Sequence, residues 1–152
     1  MPLLLGILLA VNTTPSVLSV SQPPDYTSTS TVRAYIESQT DLPRAVFIAR
    51  GESHFVWNER GDMDIICWNK RSPFYGKPVA ARGVWQITRC YHPEVTDAQA
   101  DDVEWSTAWA LPRIADKKKC IKEWTQCRLY YAFYPVDVAT ATSLVVHGSS
   151  SL

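Results

Sequence analysis

The group with the clearest chemistry in this sequence is a carboxylate at the end of an apolar helical face. Residues Asp41 to Phe55 read DLPRAVFIARGESHF. Asp41 can cap a helix by accepting from its first free N–H groups, and Pro43 suits a first turn, where its missing N–H has no intrahelical partner. Leu42, Ala45, Ala49 and Glu52 then recur at steps of three, four and three, one helical face that is apolar until its last member. Burial there would disfavour the charged form of Glu52 and raise its pKa, and a carboxyl held protonated near neutral pH is what general-acid chemistry needs. The plainer alternative is a Glu exposed at a frayed helix end, because Gly51 beside it weakens the helix. Glu59, Asp62 and Asp64 lie close by in an irregular stretch and read as solvated loop charges, available in principle as a second acid–base group.

The elements that must position Glu52 are mainly helical. Thr31 to Gln39 reads as a first short helix with Val32, Tyr35 and Ile36 on one side. Asn58 to Pro78 holds Gly61, Pro73, Gly76 and Pro78 with the rings Trp68, Phe74 and Tyr75, and reads as a long loop with a short hairpin around Met63 to Trp68. In Ala81 to Thr88 (ARGVWQIT), Gly83 permits a sharp turn or a close backbone approach. There Val84 and Ile87 are expected to point inward, and Trp85 and Gln86 elsewhere. Asp97 to Asp102 suits a helix N-terminus, and the helix after it sets Trp105, Ala108, Trp109 and Pro112 on one face, with Pro112 kinking or ending it. Lys117, Lys118 and Lys119 read as a solvated C-terminal turn of that helix. A last helix is expected from about Ile121 to Tyr134, stopping at Pro135, with Cys120, Trp124, Cys127 and Tyr131 on one face.

The chain has 152 residues, enough for one domain with one core. Lys plus Arg and Asp plus Glu balance at 15 each, so the net charge gives no reason to expect a nucleic-acid partner. Six Trp and seven Tyr are many for this length, and some of those rings could stack on sugars at a surface. Leu3 to Val11 is a short apolar run, too short to span a bilayer, with small residues at Ser19 and Ser21. Residues 1–21 therefore read as an export signal, although the segment before the apolar run has no Lys or Arg, and a buried N-terminal strand or helix is the alternative. A Pro-, Ser- and Thr-rich linker follows over 22–30, the folded domain covers 31–134, and 135–152 form a C-terminal tail. The four cysteines, Cys67, Cys90, Cys120 and Cys127, lack zinc-ribbon spacing, so no metal or other cofactor is expected. Their even number behind an export signal suggests disulfides, with three pairings open. Cys120 and Cys127 are too far apart for a bridge inside one continuous helix, where seven residues rise about 10.5 Å. If they pair, the helix must begin after Cys120.

Two of these stretches resemble the signatures of one family. Ala49-Arg50-Gly51-Glu52-Ser53-His54-Phe55 is similar to the Glu-Ser-x-Phe signature of soluble lytic transglycosylases and related goose-type lysozymes. Ala81-Arg82-Gly83-Val84-Trp85-Gln86-Ile87 resembles their second signature, a small residue followed by Gly-Leu-(Met/Phe/Trp)-Gln-Ile. Asp102 to Trp105 resembles the start of the family's third helix, and the segment Trp124, Cys127, Tyr130, Tyr131 the ending of small cysteine-containing members. The resemblance covers roughly residues 40–132 in order. It departs from the family in lacking the late Tyr-Asn-Ala-Gly signature, for whose tyrosine Tyr130 and Tyr131 are the nearest candidates, and in the length and charge of its central loop.

The resemblance implies a mainly α, lysozyme-like single domain with an irregular central loop or short hairpin and a sugar-binding cleft. The implied substrate is the β-1,4 bond between N-acetylmuramic acid and N-acetylglucosamine in peptidoglycan. Glu52 falls on the catalytic acid, Ser53 on a residue that supports it, Gln86 on a cleft residue and Gly83 on the turn that opens the cleft wall. Trp85, Tyr130 and Tyr131 are further candidates for substrate contact. Such a protein is expected to be exported, periplasmic or extracellular, with peptidoglycan glycan strands as partner, no membrane span and a monomeric state. Two alternatives remain open: a lysozyme-type hydrolase of the same bond and a non-catalytic wall-glycan-binding module.

Overall fold

A computed structural model describes residues 24–135, so the expected export signal and all but the first residue of the expected tail lie outside the described residues. Among the described residues there are six helices and a three-stranded antiparallel sheet. They are α1 (Thr29–Gln39), α2 (Pro43–Ser53), β1 (Arg60–Ile66), β2 (Pro78–Arg82), β3 (Ile87–Thr88), α3 (Asp97–Asp101), α4 (Val103–Ala115), α5 (Lys117–Glu123) and α6 (Thr125–Phe133). The chain is thus mainly helical with a small sheet. None of these helices is long and apolar enough to cross a membrane.

α1 buries Val32 and Ile36, four residues apart, as its spacing predicts. It starts at Thr29, inside the stretch read as linker, and the residues before it are docked: the Tyr26 hydroxyl donates to Glu104 Oε1 at 2.8 Å and the Tyr26 ring meets Tyr35 edge-on at 5.5 Å. Burial, then the Glu104 carboxylate, push the Tyr26 phenol well above its ordinary range.

α2 opens with Pro43 at its start, but Leu42 rather than Asp41 is the capping residue, and no side chain caps it. Its buried face is Ala45, Ile48, Ala49 and Ser53, together with Arg44. Arg44 is buried because it has work there: Nε donates to the Ile114 carbonyl at 3.0 Å and Nη2 to that of Ala115 at 3.1 Å. These are last-turn carbonyls of α4, which have no intrahelical donor.

The central stretch is more regular than its composition suggests. β1 pairs with β2 from Arg60–Arg82 to Ile66–Pro78, with an irregularity between Gly61 and Ile65, and residues 67–77 form the connection. β2 then turns into the two-residue β3, with Ala81 opposite Thr88 and Arg82 opposite Ile87. Gly83 makes this turn at φ +71°, and a Cβ there would collide with the Ala100 carbonyl of α3. Of the two uses foreseen for Gly83, a turn and a close approach, both are realised.

Asp102 ends α3 and starts α4, its Oδ1 accepting from Trp105 N at 2.9 Å. α4 buries Val103, Ser106, Thr107, Ala110 and Ile114. The expected stripe through Ala108 and Pro112 is therefore rotated: both are exposed, and Trp105 and Trp109 lie at its margin. Pro112 does not end the helix, which runs on to Ala115. Lys117–Lys119 begin α5 rather than finishing α4, with Asp116 capping the N–H groups of Lys118 and Lys119. The single last helix expected from Ile121 is two, broken at the extended Trp124. That break permits the Cys120–Cys127 disulfide (Cα–Cα 5.8 Å), and Cys67–Cys90 is the second bridge.

Gly83→Ala tests the close approach. Gly76 has a similar φ of +75° but nothing near its missing Cβ, so Gly76→Ala is expected to cost only the left-handed penalty of ~1–2 kcal/mol. Gly83→Ala should cost that plus a backbone collision, a total of ~3 kcal/mol or more. Urea denaturation of the two variants side by side measures the difference.

Candidate active site

Glu52 occupies the last turn of α2, half-buried, beside an open cleft of about 810 Å³. The helix ends one residue later in two consecutive left-handed residues, His54 (φ 53°) and Phe55 (φ 65°). The His54 N–H closes on the Arg50 carbonyl at 3.0 Å and Phe55 is buried, so the chain is turned sharply immediately behind the carboxyl. The Gln126 N–H in the first turn of α6, which packs against α2, donates to Glu52 Oε1 at 3.5 Å. Gly51 has its reason here: a Cβ on it would overlap the Gln126 side chain. The glycine that weakens the helix on propensity grounds leaves room for that side chain.

Gln86, from the other singled-out stretch, lines the same cleft. Its backbone is also left-handed, φ 49°, and its side-chain Nε2 donates to the carbonyls of Gly83 (2.9 Å) and Glu59 (3.3 Å). Gly61 leaves room for that amide, since a Cβ there would meet Oε1. Among the described residues, His54, Phe55 and Gln86 are the non-glycine positions with positive φ. Each costs of order 1–3 kcal/mol, and such strain clusters at functional sites.

The other expected site residues stand behind this surface and do not line the cleft. Ser53 is buried, its hydroxyl donating back to the Ala49 carbonyl at 3.1 Å. Trp85, expected to point away from the core, is 0% exposed, with its indole N–H on Thr107 Oγ1 at 3.1 Å. Gly83 carries the turn described above. Tyr130 is buried against Phe47 of α2 at 5.5 Å. Tyr131 lies under the cations of Lys117 (4.4 Å) and Arg44 (5.9 Å). Arg82 grips α3, with Nη1 on Asp101 and Nη2 on Asp97, each at 3.0 Å.

The cleft also gathers groups outside the set expected to touch substrate. Trp109 and Trp124 line it, their rings edge-on at 6.3 Å. His92 meets the Trp109 ring at 4.8 Å, and Arg113 stacks on that ring at 3.8 Å. Glu123 is a second carboxylate on the cleft wall, mostly buried, ion-paired with Arg113 Nε at 3.6 Å while its Oε2 has no hydrogen-bond donor. The signal for it was the break at Trp124, which turns the end of α5 towards the cleft and which helical periodicity alone could not reveal. Of the carboxylates considered earlier, Glu59 does not line the cleft, and the side chains of Asp62 and Asp64 lie outside the described residues. All four cysteines are in disulfides, which leaves no thiolate to ligate a metal.

Burial lowers the pKa of His92 from its ordinary 6.5, and the Arg113 cation acts the same way against the opposing pull of Glu123 and Glu94. The unfolded chain therefore binds this proton at a higher pH than the folded one. His92 contributes no penalty above 6.5 and a growing one as pH falls from there through the folded value. His92→Gln should make the acid-side fall in stability shallower, read as urea midpoints across that range.

No protein-family model, curated protein or solved structure matches this chain.

Proposed function

We propose that the chain is a peptidoglycan lytic transglycosylase with a lysozyme-like fold, exported to act on the cell wall. The observation that carries this reading is the meeting of the two signature stretches: Glu52 at the end of α2 and Gln86 after the β2–β3 turn line one cleft. The cleft is of the size that takes small organic ligands. The two disulfides suit an oxidising compartment.

In this reading a glycan strand lies along the cleft with its glycosidic oxygen at Glu52. The Glu52 carboxyl gives its proton to that oxygen, the bond from the anomeric carbon to the oxygen breaks, and positive charge develops at the carbon. The N-acetyl oxygen of the same sugar shields that carbon, so no carboxylate nucleophile is required. Glu52, now ionised, removes the proton of the sugar's 6-hydroxyl, whose oxygen closes on the anomeric carbon. The products are a 1,6-anhydro end and a free hydroxyl on the leaving sugar, with Glu52 protonated again and no water consumed. Gln126 N–H holds the carboxyl in position, and the Gln86 side chain, fixed on two carbonyls, is held at the cleft.

Glu123 favours a second reading, a hydrolase of the same bond. An inverting glycosidase places a base about 6.5–9.5 Å from its acid to activate water, and Glu123 is a carboxylate lining the same cleft.

Mass spectrometry of muropeptides released from purified peptidoglycan separates these readings. The transglycosylase gives 1,6-anhydro ends, and Glu52→Gln lowers their release by ~100-fold or more. Reducing ends that disappear in Glu123→Gln mean that water attacks with Glu123 as base. No release from a protein that still binds the wall leaves a non-catalytic glycan-binding module.

A further inference from the structure

Two large rings stand in the open at the mouth of the cleft. Trp68 is 73% exposed and Tyr91 66%, and both line the same cleft as Glu52. Each directly follows a cysteine of one disulfide, Cys67–Cys90, whose Cα atoms are 5.3 Å apart. The bridge therefore fixes the points from which both side chains leave the backbone. A second tie crosses the same seam, the Asn69 side-chain amide donating to the Cys90 carbonyl at 3.1 Å. Tyr75 braces Trp68 edge-on at 6.4 Å.

Such rings are usually buried, because each holds a large apolar area that gains by leaving water. Here two stand at the rim of a cleft whose lining also holds the Thr88 hydroxyl and the Lys122 and Arg128 side chains. An apolar peptide lying there would strip water from those polar groups without replacing its hydrogen bonds. A pyranose ring fits both demands. Its axial C–H face carries the positive edge that the negative face of an aromatic ring attracts, while its equatorial hydroxyls and N-acetyl group reach donors and acceptors at the sides.

We propose that Trp68 and Tyr91 form an aromatic platform, set by the Cys67–Cys90 disulfide, that binds sugar units of a β-1,4-linked N-acetylated glycan strand beyond those at Glu52. This rests on the reading of the cleft as a glycan cleft. It makes the protein select for strand length: short fragments reach Glu52 alone, longer strands also cover the rings.

The test is calorimetric titration of peptide-free peptidoglycan glycan strands, two to eight sugars long, into the full chain carrying Glu52→Gln so that nothing is cleaved. Affinity should rise with length. Adding Trp68→Ala or Tyr91→Ala should weaken the longest strands about threefold each, and about tenfold together, while disaccharide binding stays as in the parent. Both rings are exposed, so neither change removes core. Cys67→Ala with Cys90→Ala should reproduce the selective loss for long strands with Cys120–Cys127 intact. Ring variants that bind the longest strands as the parent does, or that weaken all lengths equally, overturn the platform and leave the cleft reading standing. A parent that binds no strand of any length overturns the cleft reading, and the platform with it.

Discussion

The hydrogen bond from the Trp124 indole N–H to the Trp85 carbonyl, 2.8 Å long and buried, is the tie on which the other arrangements depend. A buried carbonyl without a donor is costly. The residue supplying that donor lies where α5 gives way to α6, in an extended conformation that interrupts the helix. The Trp85 indole in turn donates to Thr107 of α4. Two indoles thus join the β2–β3 turn, α4 and the α5–α6 break. With the break fixed, Cys120 and Cys127 come within bridging distance, α6 returns against α2, and its first turn meets the Glu52 carboxyl.

Much of this frame was legible from residue spacing, and the parts that were not share a cause. The α1 and α2 faces follow from three- and four-residue steps, and Pro43 marks the start of α2. Glu52 and Gln86 were singled out and meet at one cleft. Trp85 was placed outside the core because short-range spacing cannot see that Thr107 offers its indole a partner. The hairpin expected around Met63 to Trp68 corresponds to β1, but its partner is Pro78–Arg82 beyond residues 67–77, a long-range pairing that local composition does not locate. Lys117–Lys119 open a helix rather than close one because Asp116 before them caps it, a signal the basic run alone does not carry. Glu123 and His92 reach the cleft only through tertiary packing.

The site also shows where local preference yields to the whole. His54, Phe55 and Gln86 hold left-handed backbone that non-glycine residues avoid. Gly51 and Gly61 give up side chains so that Gln126 and Gln86 can take the space. Natural sequences break local rules chiefly at functional sites, and the surrounding structure must hold them there. Arg44 does part of that holding, joining α2 to the end of α4 through two carbonyls.

The contact between Glu52 and Gln126 joins residues 74 positions apart in the chain. The sheet and the α4–α5–α6 run close much shorter loops, so they can form with less loss of chain entropy. Closing this contact therefore costs more chain entropy than closing either of those units. Apart from Glu52, the residues lining the cleft fall between Ile65 and Arg128, so this one contact is what brings the carboxyl to a wall built by the rest of the chain.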